Sequence, residues 1–118
     1  MRVIIAGGRE VRGSRADTLV REAIASSGWA HEITEIIHGA ALGIDSAAHR
    51  VCEGVWPVTP VPADWNTHGK SAGPIRNRKM ASMADALIAV WDGESRGTKN
   101  MIETAEKMGL RVYVHRYA

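Results

Sequence analysis

Two clusters in this chain carry residue types suited to gripping a phosphate. One is Gly97-Thr98-Lys99, which follows Asp92-Gly93-Glu94-Ser95-Arg96. Glycine lets a ligand approach the backbone, and the free N–H groups of a helix start coordinate phosphate oxygens. The Thr98 hydroxyl would add a donor. The same pair also serves structure alone, with Gly97 as a turn and Thr98 as an N-cap. The other cluster is Gly73-Pro74-Ile75-Arg76-Asn77. Proline suits a first helical turn, where a cation is opposed by the helix dipole by about 0.3–1 kcal/mol. Arg76 is therefore expected to face an anion, or else a surface carboxylate. Asn77 reads a base or ribose hydroxyl, or bonds local backbone.

From Trp65 to Met80 the cations Lys70, Arg76, Arg78 and Lys79 occur without one acid, in a chain whose net charge is only +2. This distribution points to a local anion site rather than to a uniformly basic surface. Gly7-Gly8-Arg9 and the stretch Gly39 to Asp45 add glycine-rich corners. Asp45 reads as the N-cap of a helix, or as a contact to ribose or loop. Asp64-Trp65 belongs to a further corner, and both Trp65 and Trp91 stand where an indole would stack on a base or fill the core.

Other chemistries find less support. No Gly-x-Gly-x-x-Gly follows the first strand, because the next glycine after Gly8 is Gly13. His68-Gly69-Lys70-Ser71 is no Walker motif, since Asp64 stands where the first glycine belongs. His31, His38, His49, His68 and His115 show no metal-ligand spacing, and the lone Cys52 reads as a buried, inert thiol. No metal and no cofactor are expected.

These residues need elements to position them. Continuous apolar runs at Arg2–Ala6, Glu35–His38, Val58–Val61, Ala86–Trp91 and Arg111–Val114 read as strands. Helical spacing occupies 14–27 (closed by Gly28), 45–53, 74–83 and 98–108. Strict alternation predicts a single α/β domain over residues 1–118, a Rossmann-like three-layer fold with a parallel sheet. Proline cannot donate to a ladder, so Pro60 sends the third strand to an edge and favours the order 3-2-1-4-5. All the unusual loops then open on the C-terminal edge of the sheet, where open α/β folds bind ligands. With no apolar run of membrane-spanning length, and with the N-terminal apolar run read as a strand, the chain is expected in the cytoplasm.

With these residues in view, the chain resembles the SLOG superfamily, and within it the small YspA/YpsA-related branch. The resemblance runs through Gly7-Gly8-Arg9, Gly39 to Asp45, Pro62-Ala63-Asp64-Trp65 to Lys70, Ala72 to Asn77, Ala84 to Ala89 and Gly97-Thr98. It implies a nucleotide-derived ligand, NAD- or ADP-ribose-like or a nucleoside monophosphate, held by a sensor or sequestering module, with a homodimer as the expected assembly. In the related phosphoribohydrolases a catalytic glutamate follows the Gly-Thr pair. Here that position is Met101, and Glu103 falls on another helix face. A hydrolase would have to draw on Glu103, Glu94 or Asp92 with Arg76. Gly43-Ile44-Asp45-Ser46-Ala47-Ala48-His49 is similar to the matching stretch of the DNA-processing protein DprA. This keeps single-stranded nucleic acid as the less expected partner.

Overall fold

A computed structural model describes residues 1–118. Five parallel strands, β1 (Arg2–Gly7), β2 (Glu35–His38), β3 (Val58–Pro60), β4 (Ala86–Trp91) and β5 (Arg111–Arg116), form one sheet in the order β3-β2-β1-β4-β5. This is the predicted order, with Pro60 on the edge strand. The helices are α1 (Gly13–Ser27), α2 (Ile44–Cys52), α3 (Trp65–His68), α4 (Ala72–Met83) and α5 (Arg96–Lys107).

Side chains alternate across a strand, so the two central strands feed two cores. Val3, Ile5, Ala86, Ile88 and Val90 pack against α1 and α2 on one face. Ile4, Ala6, Leu87 and Ala89 pack against Met80 and Ala81 of α4 and Met101 and Ala105 of α5 on the other. Burial on both faces explains why β1 and β4 read as unbroken apolar runs. No helix is long and apolar enough to cross a membrane.

Several boundaries shift by a residue or two from the sequence expectation, α4 among them, which begins at Ala72 and not at Pro74. Three differences bear on the site. Helix α2 begins at Ile44 after Gly43, and Asp45 lies inside its first turn without capping it. Gly43 has φ +82°, and a Cβ there would meet Gly8 O and approach Arg9 Cα at 2.7 Å. That contact, with Ile44 N–H donating to Gly8 O at 3.1 Å, clamps the loop after β2 onto the loop after β1. Helix α5 begins at Arg96, two residues earlier than expected, and its N-cap is Ser95 instead of Thr98. The Ser95 and Thr98 hydroxyls are 3.0 Å apart, so Thr98 supports the cap from the third helical position. Lastly, α3 and a 3₁₀ turn (Gly69–Ser71) fill what read as a loop, because Asp64 Oδ1 accepts from Thr67 N–H at 3.1 Å and caps α3.

Candidate phosphate-binding cleft

A cleft of about 430 Å³ lies over the C-terminal ends of β1 and β4, where the strand order reverses. Gly7, Gly8 and Arg9 form one wall, Arg76 and Asn77 of α4 a second, and Gly97 and Thr98 of α5 a third. With Ala41 and Asp45 from the loop after β2, four separate loops and helices thus converge, as the parallel sheet requires.

Each wall has a local cause. A Cβ on Gly7 would sit 2.5 Å from Ile44 Cγ1 and 2.6 Å from Val90 O, so α2 can cross the strand end only over a glycine. Gly97 faces open space, with nothing within 4 Å of a built Cβ. The first intrahelical bond at this end is Lys99 N–H to Ser95 O at 3.1 Å. The Arg96 and Gly97 N–H groups precede it, leaving them available to an anion. Ser95 is held in turn by Asp92, whose Oδ1 accepts from Glu94 N–H and Ser95 N–H at 2.8 Å each. Those bonds hold the Asp92 carboxyl below its ordinary range.

Arg76 is the hub. It donates to Gly39 O through Nη1 and to Asn77 Oδ1 through Nε at 3.0 Å. A Cβ on Gly39 would lie 2.7 Å from Arg76 Cζ and 2.8 Å from Asp45 Oδ2, so guanidinium and carboxylate both crowd this one glycine. Asp45 is 5% exposed and accepts from Ala41 N–H at 3.2 Å. Burial pushes its carboxyl up to about 6, against the pull of the Ala41 N–H, Arg76 and Arg9. The expected partner of Arg76 was an anion or a surface carboxylate; its direct partners are Gly39 O and Asn77 Oδ1, with the buried Asp45 carboxylate close by but in no ion pair with it.

Asn77 lines the cleft with its amide already engaged. Its Nδ2 donates to Asn100 Oδ1 at 2.9 Å and to Gly97 O at 3.4 Å, which uses its donors to tie α4 to α5. Trp91 lies outside the cleft: Nε1 donates to Ser95 O at 3.1 Å and Arg116 stacks 5.3 Å from its ring. It braces the loop before α5. Lys99 and Glu103 are exposed on α5 away from the cleft, whose lining from this helix includes buried Met101. Glu94, Asp92 and Glu10 do line it. The Asp64 side chain caps α3 and lines neither cavity.

A second cavity of about 310 Å³ adjoins the first and shares Arg9, Ala41 and Arg76 with it. Gly39, Leu42 and Trp65 belong to this one. Trp65 is 47% exposed, with the Arg9 guanidinium 5.5 Å from its ring centroid. Lys70, Arg78 and Lys79 are exposed and line neither cavity. The sequence reading missed Ser95 and Ala41. A serine three residues before Thr98 was a visible capping signal, whereas Ala41 acts through its backbone and leaves none.

No family model matches this chain. The gene 61 protein of Mycobacterium phage D29 is 39% identical to it over 84 residues, covering 65% of this chain and 67% of the phage protein. The chain belongs to the family of that phage protein. The fold of this gene 61 relative is also that of DprA. DprA from Streptococcus pneumoniae superposes with TM-score 0.75 at 19% identity, over 99% of this chain and 50% of DprA. DprA from Helicobacter pylori, described for its single-stranded DNA binding mode, gives TM-score 0.70 at 19% identity, over 97% of this chain and 64% of that one. This chain therefore spans about half to two thirds of the DprA proteins it matches.

Proposed function

We propose that this protein binds single-stranded DNA, gripping a backbone phosphate between the start of α5, Gly8 and Arg76 and stacking a base on Trp65. The observation that carries this reading is the joining of two cavities through Arg9, Ala41 and Arg76. A groove with a phosphate grip at one end and a half-exposed indole at the other suits a strand that passes through. The DprA fold and the DNA-binding description of one DprA support the same reading. We include in the proposal descent from the YspA-related branch of the SLOG superfamily.

The test is binding of a fluorescent oligothymidylate across a salt series. Log affinity should fall with log salt by about 0.7 for each phosphate neutralised. Trp65→Ala should weaken the complex by roughly 1–3 kcal/mol, the worth of one stacked base. Salt-independent or absent binding, or an unchanged Trp65→Ala variant, would overturn the proposal.

A free nucleotide-derived ligand is the second reading, favoured by the open approach at Gly97 and by a cleft volume within the usual range for small-molecule sites. Under either reading Gly97→Val should abolish binding, since its methyls occupy the space a phosphate needs. The melting temperature should stay within a few degrees, because no atom stands in the way of the new side chain. Equal loss of fold and affinity would make Gly97 structural only. Adenosine monophosphate and ADP-ribose, assayed beside the oligonucleotide, separate the readings. If only the mononucleotides bind, the groove is a small-molecule site.

A further inference from the structure

The wall shared by both cavities is anchored by a histidine pair that the sequence gave no reason to connect. His38, at the end of β2, is 4% exposed. Its Nδ1 accepts from Ala40 N–H at 3.0 Å, and its Nε2 lies 2.9 Å from His49 Nδ1 on α2. A backbone amide only donates, so His38 Nδ1 carries no proton. The neutral ring then holds its proton on Nε2 and donates it to His49 Nδ1, which leaves the His49 proton on Nε2. One tautomer is fixed for both rings.

The residue at the end of this chain is under strain. Ala40 has φ +58°, in the left-handed region that a residue with a Cβ avoids. It stays there because its neighbours are tied as well: Gly39 O accepts from Arg76, Ala41 N–H donates to Asp45, and Ala41 O accepts from Ser46 Oγ at 2.9 Å.

We propose, resting on the single-stranded DNA reading above, that His38 is a positioning residue whose Nε2–H tautomer locks residues 39–41 into the groove wall. Proton counting makes the lock sensitive to acid. The pair has four nitrogens, and the facing two share one proton. A third proton on the pair must therefore occupy His38 Nδ1, opposite the Ala40 N–H, and that bond breaks. No other titratable side chain faces the ring. The register partners of β2 on β1 and β3 are Arg2, Val3, Ile4, Val58, Thr59 and Pro60, and the Arg2 side chain pairs with Asp85 at the far end of the sheet. On α2, Asp45 turns to the loop backbone and Arg50 pairs with Asp17 of α1, while Arg76 of α4 reaches Gly39. Burial first, and His49 second, hold the His38 ring down to about 4 from 6.5. The unfolded chain takes up the proton first, so the lock is complete above pH 6.5 and fails as pH falls toward 4.

Two variants and one spectroscopic measurement test this. His38→Asn keeps an acceptor near the Nδ1 position but cannot titrate, whereas His38→Leu removes the acceptor. Ring ¹⁵N shifts of the unliganded protein at neutral pH should show His38 protonated on Nε2. The Ala40 amide resonance should move between pH 6 and 4 in the natural protein and stay in place in His38→Asn. Oligothymidylate affinity should drop about tenfold in His38→Leu and be restored in His38→Asn, the size of one lost hydrogen bond. An Nδ1–H tautomer, or an Ala40 amide that moves alike in natural protein and His38→Asn, overturns the lock. If the oligonucleotide binds none of these proteins while the ring and amide signals behave as described, the DNA reading fails and the lock stands.

Discussion

Replacing Arg76 with methionine should remove about one and a half to three and a half orders of magnitude of DNA affinity and also destabilise the fold. Truncating one partner of a hydrogen-bonded charge pair costs roughly 2–5 kcal/mol in binding. The structural loss follows from what Arg76 leaves behind: Gly39 O and Asn77 Oδ1 without a donor, and Asp45 buried without its nearest cation. Leaving a buried acceptor without its donor costs about 1–3 kcal/mol. Arg76 itself is only partly buried, so the lower end applies. The loss should depend on pH with a definite sign. Burial already raises the Asp45 carboxyl, and removing Arg76 raises it further. Asp45 then charges only at a cost to the folded state, so the deficit is greatest above pH 7 and shrinks toward pH 4, where the protonated acid needs no cation. Urea melts of both proteins at pH 4.5 and pH 8 read this directly. Arg76→Lys should not rescue binding, because an ammonium cannot bond Gly39 O and Asn77 while also facing a phosphate, as a guanidinium fork can. Native affinity in Arg76→Met would remove Arg76 from the site.

How much of this was legible in the sequence depends on whether a residue acts by type or by place. The sheet was legible. Val3 to Ala6 and Ala86 to Val90 are apolar on both faces, and Pro60 bars its strand from the interior, which leaves few strand orders. The convergence of Gly7, Gly8, Arg9, Arg76, Gly97 and Thr98 on one cleft follows from the same topology. What failed were roles assigned by residue type within a loop. Asp45 looked like a cap because aspartate often is one, but Gly43 at φ +82° starts the helix early and carries Asp45 inward to Arg76. Asn77 looked free to read a ligand, yet α5 packs against α4 closely enough for Asn100 to claim its amide. Trp91 and Trp65 looked equivalent. Trp91 is bound to Ser95 and Arg116, whereas Trp65, with Arg9 against its ring, stays 47% exposed. The His38–His49 contact joins a strand end to the middle of a helix, and no local pattern encodes such a distance.

Asp45→Asn should make the protein more stable, and the gain should itself titrate. A carboxyl raised from 3.8 to about 6 is harder to ionise in the folded chain than in the unfolded one. At about 1.4 kcal/mol per unit, that difference amounts to roughly 3 kcal/mol of destabilisation once Asp45 is charged. Asparagine removes the charge while keeping an oxygen for the Ala41 N–H, although a neutral acceptor holds that bond less well. A net gain of about 1–3 kcal/mol at pH 8 follows, fading as pH falls below 6 and vanishing only toward about pH 3, below the ordinary 3.8 of the unfolded carboxyl, where the natural residue is protonated whether folded or not. Thermal melts at pH 8, 6 and 3 measure it. A residue that weakens its own fold is retained where it serves the site. Asp45 has two available services, and affinity tells them apart. If it only orients Arg76 and the 39–41 loop, then losing a negative charge beside the phosphate should tighten oligonucleotide binding about tenfold. If its carboxylate accepts a hydrogen bond from the ligand, the stabilised variant should bind more weakly. A variant that gains no stability at pH 8 would instead mean that Asp45 and Arg76 already balance each other, and that the buried carboxyl stays charged well below pH 6.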